Sequence, residues 1–294
     1  MFFGGSSLLA LNWANKIYKS WDVVLLKHKR NISFQHAKIL ELEKISKSSI
    51  KEIINKVKPH VVVNCAAITE VEKCEKEKDN ARLVNTTLPD IIAHTCKLMK
   101  IKFVHISTDH LFNGEKSFYL EDNPISPLNN YGITKGKAES KVLNKNSNAL
   151  LIRTNFFGWG TSYRDSFSDR IIKSLRDSKV IKLFSDVYFT PIYIGELVNI
   201  IHMLIDKNKQ GIFNVVSKER ISKFEFGIKI AKAFKYPLTL ISPISIEEIK
   251  FLVTRPKDMS LSTLKILDEI NFQTKGIENQ ILDLQNEEKL RIKI

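Results

Sequence analysis

Residues 59–69 read Pro59-His60-Val61-Val62-Val63-Asn64-Cys65-Ala66-Ala67-Ile68-Thr69, and this stretch decides the fold. Val61 to Cys65 is a short apolar run without alternation, as expected of a strand covered on both faces. Upstream, Ser48 precedes a helix with Ile50, Ile53, Ile54 and Val57 on one face, which Pro59 ends. Farther back, a helix over Leu8 to Tyr18 leads into a strand at Val23 to Leu26. Downstream, Asn80 to Met99 reads as helical with a break at Pro89. It is followed by a buried strand at Lys102 to Ser107, a helix at Tyr131 to Leu143 and a strand at Ala149 to Ile152. Strand and helix alternating at this spacing predict βαβ units, hence an α/β fold with a doubly wound parallel sheet over residues 1–157. Beyond Gly158 the pattern loosens. Helices are predicted at Phe167 to Leu175, Ile194 to Ile205, Lys223 to Phe234 and Gly276 to Leu284, with short strands near Ile181 to Phe184 and Ile212 to Val216. Residues 158–294 are therefore read as a smaller C-terminal α/β substrate-binding region on the carboxyl edge of the sheet, with some crossover between the parts.

Composition bounds the function. The 294 residues suggest about two domains. Hydrophobic residues at 43% and charged residues at 27% exclude wholesale disorder. No apolar run approaches the ~18 residues of a membrane helix, and Met1 to Ala14 is a poor secretory signal. Cys65, Cys74 and Cys96 show no metal-ligand spacing and are too few for a disulfide framework, so no metal and a cytoplasmic location are expected. Forty-six Lys+Arg against 32 Asp+Glu give a net charge of +14. The lysines are scattered through predicted helices, which argues for a solvated surface suited to anionic ligands and against a nucleic-acid or membrane partner.

Two motifs carry chemistry. Gly4-Gly5-Ser6-Ser7-Leu8-Leu9-Ala10 falls where a first strand of Rossmann type turns into its helix and can present backbone N–H groups to a pyrophosphate. Only Gly4 of the three spaced fingerprint positions is glycine; Ser7 and Ala10 fill the others, and a plain helix N-cap is the competing reading. Tyr131-Gly132-Ile133-Thr134-Lys135 sets a phenol and an ammonium on one helix face, and Ser107-Thr108-Asp109 closes a buried strand. An ammonium beside the phenol is expected to lower its pKa from ~10, so that Tyr131 serves as acid or base near neutrality.

Taken in order, Pro59 to Thr69, Val71-Glu72-Lys73-Cys74-Glu75, Val104 to Asp109, Phe112-Asn113-Gly114 and Pro127 to Lys135 resemble the extended short-chain dehydrogenase/reductases, specifically the dTDP-4-dehydrorhamnose reductase family. Arg153-Thr154, Thr190-Pro191 and Arg255-Pro256 carry the resemblance through nearly the whole chain. It implies an NAD(P)-dependent oxidoreductase that reduces a 4-keto nucleotide sugar, in dTDP-rhamnose and polysaccharide biosynthesis. Thr108 would bond the substrate carbonyl, Tyr131 would protonate its oxygen, and Lys135 would hold the nicotinamide ribose. Gly4, Ser6, Ser7, Leu8, Leu9, Lys29, Arg30, Cys65, Ala66, Ala67, Asn85 and Ser107 would contribute to the cofactor site. Thr69, Val71, Asp109, His110, Phe156 and Arg255 would contribute to the sugar site. The family commonly has Tyr where this chain has His110 and Trp where it has Phe156, which leaves the sugar open.

Two other functions stand beside this one: an epimerase or dehydratase on the same scaffold, and a non-catalytic regulatory subunit of the methionine adenosyltransferase type. Dehydratases of this group carry Thr-Asp-Glu, whereas Thr108-Asp109-His110 lacks the second carboxylate. Retention of Thr108, Tyr131 and Lys135 favours catalysis. Lys27-His28-Lys29-Arg30 follows the second strand where an NAD site usually has an acid, so NADPH is expected over NADH, with NADH admitted. A homodimer is left open. Only Met1-Phe2-Phe3 precede Gly4, about half of the five or six residues usual for such a strand. Either the start lies upstream or a stub is tolerated, and cofactor binding is expected to be the fragile function.

Overall fold

In the computed structural model, which describes residues 1–288, the first half supplies six parallel strands. These are β1 (Phe2–Phe3), β2 (Val24–Lys27), β3 (Lys38–Glu41), β4 (Val61–Asn64), β5 (Lys102–Ile106) and β6 (Leu150–Arg153). Four short strands follow, β7 (Phe156–Phe157), β8 (Ile181–Phe184), β9 (Tyr188–Phe189) and β10 (Ile192–Tyr193). The chain then returns to the main sheet as β11 (Gly211–Asn214) and continues through β12 (Ile221–Ser222) and β13 (Ile241–Ile244). The sheet order is β11-β6-β5-β4-β1-β2-β3, parallel throughout. The order reverses between β1 and β4, which opens a crevice at their carboxyl ends.

Both faces of the sheet are covered, which is why its strands read as unbroken apolar runs. Phe2, Leu25, Val63, Val104 and Ile152 point to the face packed by α1 (Leu8–Ile17), while Phe3, Leu26, Val62, Phe103 and Leu151 point to the other. That second face is closed by α2 (Lys47–Val57) and by a helical stretch made of α3 (Val71–Lys76), α4 (Lys78–Arg82), a π turn at Leu83–Thr87 and α5 (Leu88–Leu98), with α6 (Asn130–Lys145) beside it. The short β1 pairs with both neighbours, and the Met1 ammonium donates to the Val61 carbonyl at 2.9 Å.

Two local expectations are corrected. The α2 helix is capped by Ser46, whose hydroxyl accepts the Ser49 N–H, and not by Ser48; three serines in four residues left the cap ambiguous. The helix expected to break at Pro89 continues through it. Pro89 falls in the first turn of α5, where a missing N–H costs nothing, and the irregularity is the preceding π turn.

Beyond residue 158 lie α7 (Phe167–Arg176), α8 (Ile194–Asp206), α9 (Lys223–Ala233), α10 (Leu264–Ile270) and α11 (Ile277–Asn286). Phe226 of α9 anchors an aromatic cluster, with Phe157 at 5.1 Å, Phe189 at 5.6 Å and Phe167 stacked at 5.7 Å. Crossover is extensive: α8 packs on α1 through Trp13, whose indole N–H donates to His202 at 2.9 Å, and β11 is an integral strand of the sheet.

Candidate active site

The crevice at the carboxyl ends of β1, β4, β5 and β6 holds a cleft of roughly 560 Å³. One wall of it begins at the turn after β1. Gly4 has φ +74, and a Cβ there would lie 2.6 Å from the Ala66 nitrogen, so only glycine lets the turn lie on the chain after β4. Ser7 caps α1 by accepting the Ala10 N–H at 3.1 Å, and Ser7, Leu8 and Leu9 line the cleft. Cys65 and Ala67 form its floor, whereas Ala66 is taken up in packing beneath Gly4. Burial pushes the Cys65 thiol up to about 12, so it is an inert part of that floor. Gly4 and Ser6 shape the turn, and the Ser6 carbonyl accepts from Tyr163 at 2.7 Å.

Thr108, Tyr131 and Lys135 come together at the cleft's centre. Asn129 caps α6 through the Gly132 N–H at 3.1 Å, and Asn130 donates to the Cys74 carbonyl at 2.6 Å, which fixes the helix start. Any side chain at Gly132 would collide with the His110 carbonyl, so the glycine inside the Tyr/Lys motif lets α6 press against the strand end. Tyr131 is buried among Val71, Cys74 and Ala81, and its phenol is in hydrogen-bonding contact with Thr108. The expected lowering of its pKa is not found. Burial drives the phenol well above its ordinary value, only partly offset by Thr108. The Lys135 ammonium donates instead to the Ile106 carbonyl at 2.7 Å, and burial lowers it to about 8.

Asp109 accepts from Thr108 at 3.2 Å and from Asn155 at 2.5 Å. His110 lies edge-on to Tyr131, with ring centroids 5.5 Å apart, and burial lowers its pKa, keeping the imidazole neutral. Asp109, His110, Thr69 and Phe156 all line the cleft.

Other expected site residues are placed elsewhere. Asn85, fully buried on the π turn, accepts the Ile68 N–H at 2.8 Å and donates to the Ile68 carbonyl and to Thr134. It positions the loop after β4 and does not face the cleft. Val71 packs behind Tyr131. Arg255 grips Glu72 through both carboxylate oxygens at 2.5 Å and stacks on Phe251, so its guanidinium is engaged outside the cleft. In the basic run after β2, Lys27 is paired with Glu41 at 2.6 Å and Lys29 is exposed, while Arg30 stacks 4.2 Å from the Tyr163 ring beside the glycine turn.

Apart from Phe156, sequence reasoning missed the wall contributed by residues 155–170. Asn155, Arg164, Phe167 and Arg170 line the cleft, with Arg164 donating to Thr69 at 2.7 Å. Ser166 with Asp169 three residues on signalled the α7 start, but no local pattern links these cations to residue 69.

The donor set fits a dinucleotide. A glycine cradle that a Cβ would fill adjoins a helix N-terminus, and the buried Ser107 and Thr154 hydroxyls have no partner among the described residues. A doubly wound parallel sheet with Thr, Tyr and Lys lining the cleft at its carboxyl edge defines an extended short-chain dehydrogenase/reductase, a class of NAD(P)-dependent oxidoreductases. The chain belongs to the family described as RmlD substrate binding domain, which it matches over residues 1–289. It is 29% identical over 240 residues to a probable low-salt glycan biosynthesis reductase of Haloferax volcanii, covering 80% of each chain. It is 26% identical over 246 residues to a dTDP-4-dehydrorhamnose reductase of Aggregatibacter actinomycetemcomitans, covering 79% of this chain and 83% of that one. The fold superposes on the dTDP-4-dehydrorhamnose reductase of Bacillus anthracis solved with NADP, with TM-score 0.83 at 23% identity, over 97% of this chain and 98% of that one. Among the described residues, no helix is long and apolar enough to cross a membrane.

Proposed function

We propose that this chain reduces the 4-keto group of a nucleotide-linked deoxysugar, with NADPH as the preferred cofactor. The observation that carries the reading is the meeting of Tyr131 and Thr108 over the end of β5, with Lys135 one turn along α6. Ser7, Leu8 and Leu9 at the α1 N-terminus would hold the pyrophosphate, Cys65 and Ala67 the underside, and Lys135 the ribose. The nicotinamide supplies the hydride when bound. Thr108 would orient the sugar carbonyl by turning its one hydroxyl proton from Asp109 to the carbonyl oxygen. Tyr131 gives its phenol proton to that oxygen, so ketone plus hydride plus proton balance to an alcohol. A phenol held above its ordinary pKa keeps this proton through the neutral range. The charge left on the phenol oxygen is favoured by the Arg164 guanidinium.

The names and cofactor of the Aggregatibacter and Bacillus anthracis reductases support the substrate class and the nucleotide. The preference for NADPH rests on Arg30, a guanidinium suited to a 2′-phosphate. The test is product analysis with NADPH and a panel of 4-keto nucleotide sugars. A reduced sugar alcohol formed with consumption of NADPH is expected. Conversion of a sugar without net cofactor consumption would instead identify an epimerase.

A further inference from the structure

Lys223 is the first residue of α9, and its backbone is fixed from both sides. Ser222 and Glu225 form a capping box, Ile221 and Ser222 pair antiparallel with β9, and the Lys223 N–H donates to Val187 at 3.0 Å. The side chain therefore leaves from a rigid origin. Its ammonium lies 3.3 Å from the centroid of Phe189 and 4.9 Å from that of Phe167, a wall residue of the cleft. Among the described residues it has no hydrogen-bond or ion-pair partner, so three N–H donors stay unused. The facing charges are Asp109, which favours the charged form, and Arg170, which opposes it, while burial lowers the amine to about 7. Asp109 accepts one bond on each oxygen, from Thr108 and from Asn155, and each oxygen has capacity for a further donor.

Unused ammonium donors and carboxylate acceptors together match one kind of group. A phosphate or carboxylate would be repelled by Asp109, and an ammonium by Lys223. A hydroxyl can accept from the lysine and donate to the aspartate at once. We infer that Lys223, with Asp109, binds the ring hydroxyls of the substrate sugar next to the reacting carbonyl, and that it discriminates among sugars rather than among nucleotides. This rests on the reductase reading above.

The experiment compares binding of dTDP and of dTDP-rhamnose to the whole protein and to Lys223→Met, which keeps the aliphatic stem on the rings and removes the donors. Calorimetric titration should show dTDP-rhamnose weakened about 10- to 100-fold in the variant, the range of a lost charged hydrogen bond, with dTDP unchanged. Lys223→Gln, which returns a donor, should recover part of the loss and guards against a variant that misfolds. Equal weakening of both ligands would assign the lysine to the nucleotide, and no change in either would make it a packing residue; each overturns the inference. Failure of the unmodified protein to bind dTDP-rhamnose while binding NADPH would overturn the reductase reading first, and this one with it.

Discussion

The Lys135 ammonium donates to the carbonyl oxygen of Ile106 across 2.7 Å, tying the second turn of α6 to the last residue of β5. The bond sets the spacing between the residue that would hold the ribose and the strand end that carries Ser107 and Thr108. It also keeps a cation in a buried place, with electrostatic support from Glu139.

That burial has a cost with a definite pH dependence. The amine is lowered from 10.5 to about 8, mainly by desolvation. Below pH 8 the lysine is charged whether folded or unfolded, so the folded state carries the full cost. Between 8 and 10.5 the unfolded chain binds the extra proton, and stability from this group rises with pH. Lys135→Met should therefore melt higher than the parent at pH 7, by at most about 3 kcal/mol, while losing activity. Melting curves at pH 7 and pH 10 should show the gain shrinking; a gain independent of pH would refute the electrostatic cause.

Tyr131→Phe removes only the phenol oxygen from a residue packed on Val71, Cys74 and Ala81. Turnover should fall by about 10²–10⁴ with the melting temperature little changed. Because burial raises the phenol pKa, no titration of Tyr131 should appear in the rate between pH 6 and 9. The loss of activity above about pH 8 should follow Lys135. Near-normal turnover in the folded variant would dismiss Tyr131 as the donor.

Asn85→Ala would leave the Ile68 N–H without its side-chain partner and the Ile68 carbonyl with only the Cys74 thiol. A destabilisation of about 2–3 kcal/mol is expected, together with a raised KM, because the loop it holds runs on to Thr69. Denaturant melts and steady-state kinetics check both; an unchanged KM would confine Asn85 to stability.

Arg30→Ser should lower kcat/KM for NADPH about tenfold or more and leave NADH nearly unaffected, as loss of a charge-assisted phosphate contact requires. Parallel kinetics with the two cofactors decide it. Equal losses with both would move the role of Arg30 to its stacking on Tyr163.

What could be read from the chain depended on the range of the interactions. The seven-residue apolar and small run from Val61 to Ala67 announces a strand buried on both faces, and its neighbours repeat the signal; the structure bears out the parallel sheet. Tyr131 and Lys135 were legible because helical spacing is local. The pairing of Arg255 was not legible because its partner, Glu72, is supplied by a distant segment, and a motif does not reveal which way a guanidinium turns. Asn85 was noticed, but its clamp on Ile68 depends on a π turn with no sequence signature. The phenol pKa was read with the wrong sign because spacing supplies the nearby ammonium but not the depth of burial, and burial wins.

The register of β11 against β6, Gly211 opposite Leu150 and Asn214 opposite Arg153, makes the intervening chain a closed excursion. Both of its ends are anchored on the same sheet. The wall that carries Asn155, Arg164, Phe167 and Arg170 is thus a graft between two fixed stubs, not an appended piece. Severing the chain near residue 157 would strip β6 of a neighbour and bare a sticky sheet edge. Lengthening or exchanging the excursion would reshape that wall of the cleft, and would reach the glycine turn only through the Tyr163 bond to the Ser6 carbonyl and the helix contacts of α8.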